Sequence, residues 1–260
     1  MICKICNSNT QQVFISKILK KYDVKYFKCN NCGYLFTEDP FWLDEAYSRS
    51  INISDTGLVD RNISFSKMLA VLIYFNFDTD GKFLDYAGGY GIFTRLMRDI
   101  GFDFYWYDIY TQNLLAKGFE ADANHDTKYE FVTAFEVFEH LVDPKEDIKR
   151  MLQQSDTIVF STELLPNQIP DPNSWWYYGF EHGQHISFYS KNTFAWLANH
   201  FGLKYYYING IHLLTSKKIN YSTMAIEKKL CKFGLFYFVK KMMKSKTLSD
   251  SILLRSSKTQ

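Results

Sequence analysis

The sequence contains no apolar run close to the eighteen or so residues that a membrane-spanning helix needs. It also lacks a basic-then-apolar leader: the first ten residues read MICKICNSNT, so a cytoplasmic address is expected. Excess charge of either sign is small in total, with 30 Lys and Arg against 28 Asp and Glu for a net of +2. The distribution is uneven, however. Nine lysines between residues 217 and 246 face the single Glu227, a local net of +8, while residues 1–216 carry −7. An acidic body with a basic tail argues against a general nucleic-acid binder. At 47% hydrophobic and 22% charged residues, wholesale disorder is excluded, and aromatics are abundant at 18%.

Cysteine is scarce, yet four of the five fall in the first 32 residues: Cys3, Cys6, Cys29 and Cys32. The pattern C-x2-C-x22-C-x2-C forms two short knuckles whose thiolates can converge on one tetrahedral Zn2+. Gly33 follows the second pair, where a knuckle needs positive φ. The intervening QQVFISKILKKYDVKYFKC supplies candidate strands of a zinc ribbon. Two disulfides or four unligated thiols are the alternatives, and a cytosolic address disfavours the first. Four thiolates close the coordination shell, so the expected role is structural. Cys231, in the tail, reads as a bystander.

Residues 82–110, KFLDYAGGYGIFTRLMRDIGFDFYWYDIY, carry the strongest chemical signal. A strand over 83–86 runs into Ala87-Gly88-Gly89-Tyr90-Gly91, then an amphipathic helix with Ile92, Leu96 and Ile100 on one face, then a second strand ending at Asp108. Glycines let the backbone approach a ligand, and a carboxylate at the second strand's tip can accept ribose hydroxyls. The third glycine of the dinucleotide fingerprint is missing, which weighs against a nicotinamide cofactor. Upstream, RNISFSKMLAVLIYFNF has the spacing of a helix.

The 82–110 stretch resembles motif I of class I S-adenosylmethionine-dependent methyltransferases, L-D-x-G-x-G-x-G: Leu84, Asp85, Gly89 and Gly91 match, and Ala87 replaces the first glycine. The resemblance implies that the segment Asp85, Ala87, Gly88, Gly89 and Gly91 approaches the cofactor's methionine part, that Asp108 binds its ribose and that Asp122 contacts its adenine amine. It extends through EFVTAFEVFEH (130–140), placing Glu136 at the cofactor, and HISFYSKNTFAWLANHFG (185–202). Together with the cysteines, the arrangement is similar to bacterial methyltransferases with a zinc-binding front domain, many of which act on deoxysugars or surface polysaccharides.

Methyl transfer is an in-line displacement in which the enzyme positions the acceptor and removes its proton. Two clusters offer the groups. In Glu136-Val137-Phe138-Glu139-His140, a helix would put Glu136, Glu139 and His140 on one face. In Trp175-Trp176-Tyr177-Tyr178-Gly179-Phe180-Glu181-His182-Gly183-Gln184-His185, either histidine is a candidate base, with Tyr178 and the tryptophans forming an acceptor pocket; the resemblance favours His185 over His182. Alternatively Glu136, Glu139, His140 and His185 hold a divalent cation such as Mg2+, as E-x-x-E-H spacing does in certain metal-dependent O-methyltransferases. The plainer alternatives are carboxylates that cap a helix and aromatics that cover a core.

The expected architecture is α/β: a Rossmann-like seven-stranded methyltransferase sheet over 81–216, a zinc ribbon over 1–45, a helical linker over 46–80 and a basic helical tail over 217–260. The expected activity is O-methylation of a small polar acceptor (a sugar, sugar nucleotide or phosphorylated precursor of surface polysaccharide). C-methylation of a keto-sugar nucleotide and O-methylation of a phosphoramidate precursor are the rivals. A non-enzymatic zinc-ribbon module for nucleic acid or protein is the contrasting class, kept open by Lys4, Lys17, Lys20, Lys21, Lys25 and Lys28 against Asp23. The tail, with helical apolar spacing around Leu230–Met243, suits capping or dimer packing first and peripheral contact with an anionic membrane second.

Overall fold

The structure is a computed structural model describing residues 1–48, 55–121, 127–208 and 210–256. The first elements are β1 (Thr10–Ile18), β2 (Tyr22–Cys29), β3 (Leu35–Thr37), α1 (Leu43–Ala46) and α2 (Leu58–Asn76). Next come β4 (Lys82–Tyr86), α3 (Ile92–Ile100), β5 (Asp103–Tyr107), β6 (Phe131–Phe135), α4 (Pro144–Gln154) and β7 (Thr157–Ser161). The chain continues with β8 (Ser187–Phe188), α5 (Lys191–Phe201), β9 (Lys204–Ile208) and β10 (Ile211–Thr215). It ends with α6 (Tyr221–Cys231), α7 (Leu235–Met242) and α8 (Thr247–Ser256).

Among the described residues the main sheet is mixed, with six strands in the order β5-β4-β6-β7-β10-β9 of the seven expected. Its β4 runs parallel to β5 and β6, and β9 and β10 form an antiparallel pair. Beside β5, among the described residues, there is only an isolated parallel bridge between Trp106 and Glu120. Asp122 lies outside the described residues.

The contacts divide the chain into two compact units. The first takes in residues 1–52, 135–152 and 159–216. It contains the small antiparallel sheet β1-β2-β3-β8, so the hairpin next to the cysteines is completed by a two-residue strand from far along the chain. Tyr26, Leu35, Trp42, Tyr177, Tyr178, Ile186 and Phe188 form its aromatic core, and the Trp42 indole N–H donates to the Gly183 carbonyl. Such a core withdraws large apolar area from water and gives the indole a partner.

The second unit takes in residues 53–134, 153–158 and 217–260. Phe83 stacks on Phe104 and packs against Phe131 at the centre of its strands. Helices α6 and α7 both pack on α2, burying Met224, Phe236 and Val239. The expected tail helix is broken: Gly234, at φ 98, separates α6 from α7.

Asp250 fastens α8 to α3 through ion pairs to Arg98 and, at 2.9 Å, to Arg95. The Arg98 guanidinium gives two hydrogen bonds to Asp250, one to Asp103 and one to the Phe104 carbonyl, and its carbon lies 3.6 Å from the Phe119 ring centre. Burial alone would raise the Asp250 pKa; the hydrogen bonds and charges of Arg98 and then Arg95 outweigh it, and the net shift is downward. Removing one partner of such a pair strands a buried charge. Asp250→Ala should therefore cost about 3–5 kcal/mol in urea unfolding, against less than about 1 kcal/mol for the half-exposed Asp99→Ala.

Candidate functional site

The four cysteines converge. Cys3 Sγ lies 3.6 Å from Cys32 Sγ and Cys6 Sγ 3.4 Å from Cys29 Sγ, and all four sulfurs fall within 4.8 Å of one another. The two knuckles match. The N–H of Asn7 (φ 59) donates to the Cys3 carbonyl, as that of Gly33 (φ 78) does to Cys29. Sequence reading singled out Gly33 and missed Asn7, although asparagine is among the residues that best tolerate the left-handed region. A Cβ on Gly33 would meet Ser190 Oγ at 2.5 Å, because Ser190, which caps α5, packs beside the knuckle. Thr193 Oγ1 donates to the Cys32 carbonyl. The close Cys3–Cys32 contact favours a single thiolate in the pair, lowering the pKa of the Cys3 thiol and raising that of Cys32.

In the same unit, the EVFEH segment forms a single 3-10 turn over Phe138–His140 rather than the expected helix. Glu136 stands before it at φ 54, its N–H donating to Ser161 Oγ and its carboxylate accepting from the same hydroxyl at 2.6 Å. Glu139, His140 and His185, by contrast, bring ligand atoms within 4.8 Å of one another. The Ile186 N–H donates to the Glu139 carbonyl, and the two histidine ring centres are 5.0 Å apart.

A backbone carbonyl sets the tautomer of His185. A carbonyl can only accept, so His185 Nδ1, 2.6 Å from the Tyr177 oxygen, carries the proton and leaves Nε2 unprotonated, the form that acts as a base or ligand. His140 Nδ1 lies 3.1 Å from the Gln184 oxygen and also meets a hydroxyl, so the carbonyl alone does not choose its tautomer. Burial lowers the pKa of His140 and takes that of His185 well below the usual value. His182 is wired the other way, its Nδ1 accepting from the Gln184 N–H. Tyr47 Oη lies 3.0 Å from His140 Nδ1, and Gln184 Nε2 donates to the Ala46 carbonyl. Neither Tyr47 nor Gln184 was singled out in the sequence, since nothing local marks them.

Tyr178 is a core residue. It is fully buried, stacks on Phe180 and gives its hydroxyl to the Pro170 carbonyl. Tyr177 is buried too, with its hydroxyl accepting from the Glu163 N–H. Trp176 is 78% exposed, so this aromatic run divides between core and surface.

In the second unit, Ala87 (φ 55), Gly89 (φ 54) and Gly91 (φ 83) make the turn after β4 left-handed at three points. At Gly88 a Cβ would meet Asp85 Oδ2 at 2.7 Å and Trp106 Cδ1 at 2.8 Å, so the close approach excludes any side chain. Gly89 donates its N–H to Asp108 Oδ2 and accepts from the Trp106 indole through its carbonyl. Asp108 Oδ1 takes the N–H groups of Tyr110 and Thr111. A carboxylate has about four acceptor positions, so one on Oδ2 remains beyond these three bonds. Among the described residues nothing lies within 4 Å of a Cβ placed on Gly89, which leaves open space at the crest of the turn. Gly91 leads into α3 without a side-chain cap.

Asp85 sits beneath the turn, accepting from Thr94 Oγ1 at 2.8 Å and Thr133 Oγ1 at 3.1 Å. Burial raises its pKa to about 7, against the threonine bonds that hold it down. The unfolded chain releases this proton near pH 4 and the folded chain near pH 7, so folding stability should fall as pH rises through that interval and level off above it. The loss should be on the order of 4 kcal/mol. Asp85→Asn should flatten that part of the pH profile in denaturant titrations, relative to wild type.

Comparison with curated proteins finds no match by sequence. Similar solved structures include CalO1, a methyltransferase in calicheamicin biosynthesis with SAH bound (11% identity, TM-score 0.42, 62% of this chain and 56% of that one). Magnesium protoporphyrin IX methyltransferase from Synechocystis PCC 6803 with bound SAM shares 13% identity at TM-score 0.41, covering 66% of this chain and 87% of that one. Human N-acetylserotonin methyltransferase in complex with SAM shares 12% at TM-score 0.44, covering 68% and 66%. The chain thus spans just over half the length of CalO1. A family described as "Methyltransferase domain" matches residues 61–208, a segment running from α2 through the glycine-rich turn and the EVFEH turn to the end of β9. That segment is more than half of the sequence, and the chain belongs to this methyltransferase-domain family.

Proposed function

We propose that the protein uses S-adenosylmethionine to methylate an oxygen of a small polar acceptor, a sugar or sugar derivative of surface-polysaccharide assembly. The observation that carries the cofactor assignment is the open crest at Gly89 beside Asp108, whose carboxylate keeps one acceptor position after fixing the turn. When bound, the cofactor supplies a sulfonium-borne methyl group. Asp108 would accept a ribose hydroxyl, and the turn from Ala87 to Gly91 would lie along the methionine part. Asp85 acts through the turn, since both its oxygens are held by threonines. An adenine contact remains the proposed role of Asp122, and Glu136, clamped to Ser161, the proposed border of the cofactor site.

His185 is the proposed general base. Its Nδ1–H is spent on the Tyr177 carbonyl and its Nε2 is unprotonated, whereas the Nδ1 of His182 is occupied as an acceptor. A second arrangement is favoured by the approach of Glu139, His140 and His185: these three could hold a divalent cation that lowers the acceptor's pKa. Two imidazoles and one carboxylate suit a transition metal better than Mg2+. The cysteine cluster fits structural Zn2+, with four sulfurs at mutual distances that a tetrahedral ion can bridge.

Methyl uptake from labelled S-adenosylmethionine into nucleotide sugars and capsule precursors tests the activity. His185→Ala should retain cofactor affinity and lose about 100- to 10,000-fold in kcat; full turnover would rule out His185 as the base. Metal analysis should find one zinc per chain, lost together with thermal stability in Cys6→Ser. A second metal that disappears in His140→Ala would establish the cation arrangement instead.

A further inference from the structure

Packing of α6 and α7 on α2 uses only one side of each helix. On α6, Met224 and Glu227 are buried, the latter accepting from Asn76 Nδ2, while Ile226, Lys229 and Leu230 face outward with Phe233 continuing the same stripe. On α7, Phe236 and Val239 are buried, Tyr237, Lys241 and Met242 are exposed, and the half-exposed Phe238 sits edge-on to Tyr74 of α2. Phe233 is 77% and Tyr237 68% exposed. Between residues 228 and 246 there are seven lysines and no acidic residue, and Lys229, Lys232, Lys240, Lys241 and Lys244 are exposed among these apolar side chains.

An apolar patch of this kind in water marks a docking surface, and its charge selects the occupant. A second copy would bring lysines against lysines, which disfavours self-association. Nucleic acid would use the lysines but has no use for Ile226, Leu230 and Met242. An anionic bilayer uses both: lysines lie against headgroup phosphates while aromatic and aliphatic tips enter the boundary region. Neither helix is long or apolar enough to cross a membrane, so the contact is peripheral. We propose that the outward face of α6, Phe233 and α7 docks on an anionic phospholipid surface, a property independent of the methyl-transfer chemistry.

Co-sedimentation of the full chain with vesicles of phosphatidylcholine alone, or mixed with phosphatidylglycerol, tests this at low and physiological salt. Binding should favour the anionic vesicles about tenfold or more and weaken as salt rises. Lys240→Glu with Lys241→Glu should reduce it about tenfold. Phe233→Ser and Tyr237→Ser together should reduce it comparably, with circular dichroism and melting temperature unchanged. Failure to bind anionic vesicles at low salt overturns the proposal. Binding indifferent to the aromatic substitutions, with equal affinity for duplex DNA, would make the surface a general polyanion site and overturn it too. A dimer in sedimentation equilibrium that the aromatic substitutions dissolve, without vesicle binding, would assign the face to a second copy. If the aromatic variant fails to fold, the paired lysine variant decides: undiminished vesicle binding overturns the proposal.

Discussion

Three backbone N–H groups end on the carboxylate of Asp108, and the glycine-rich turn takes its shape from that convergence. One comes from Gly89 at the crest of the turn, and the other two belong to the chain just after β5. The Trp106 indole closes the loop by donating to the Gly89 carbonyl. The turn is therefore held from the end of β5 as well as from its own strand, and Ala87 can stay left-handed where glycine would cost less. Beneath it, Asp85 is buried at an energetic cost that its two threonine bonds only partly offset. A loop supported this way is prepared before any ligand arrives, which lowers the ordering cost of binding.

The histidine cluster follows a similar rule, with main-chain carbonyls set against the rings. The Tyr177 oxygen fixes His185 with Nε2 unprotonated, the Gln184 oxygen lies against His140 Nδ1, and burial lowers the pKa of both rings. Those carbonyls belong to the segment that carries the buried aromatic side chains, so the core around Tyr178 and Trp42 holds the histidines in place. The aromatic excess of the sequence thus acts here mainly as support.

Local signals in the sequence were informative where the physics is local. The cysteine spacing, the glycine-rich turn, Asp108 at a strand end and the helical periods of α2 and α3 all appear where the pattern places them. Misjudged elements depend on partners distant in sequence. A helix would put the EVFEH groups on one face, but Glu136 turns left-handed to reach Ser161 and the Glu139 carbonyl is taken by Ile186. Strand β8 is two residues long and forms only because β3 offers an edge. Arg98 and Asp250 are 152 positions apart, and no window of sequence pairs them. Tyr178 reads as a pocket residue beside two candidate bases, whereas the structure buries it against Tyr26 and Phe188.

The C-terminal helices combine both kinds of determinant. Their apolar period is legible, while the division into a face on α2 and a face turned to solvent depends on packing against a helix distant in sequence. That division lets one segment stabilise its unit and still present lysines and aromatics outward, without drawing on the groups proposed for chemistry. The cofactor assignment is central, and titration calorimetry of the purified wild-type chain with S-adenosylmethionine tests it most directly. The expected result is saturable 1:1 binding in the micromolar range, weakened at least about tenfold by Asp108→Ala through loss of a charged hydrogen-bond acceptor. No heat of binding at high micromolar cofactor, from a chain shown to be folded, would contradict it.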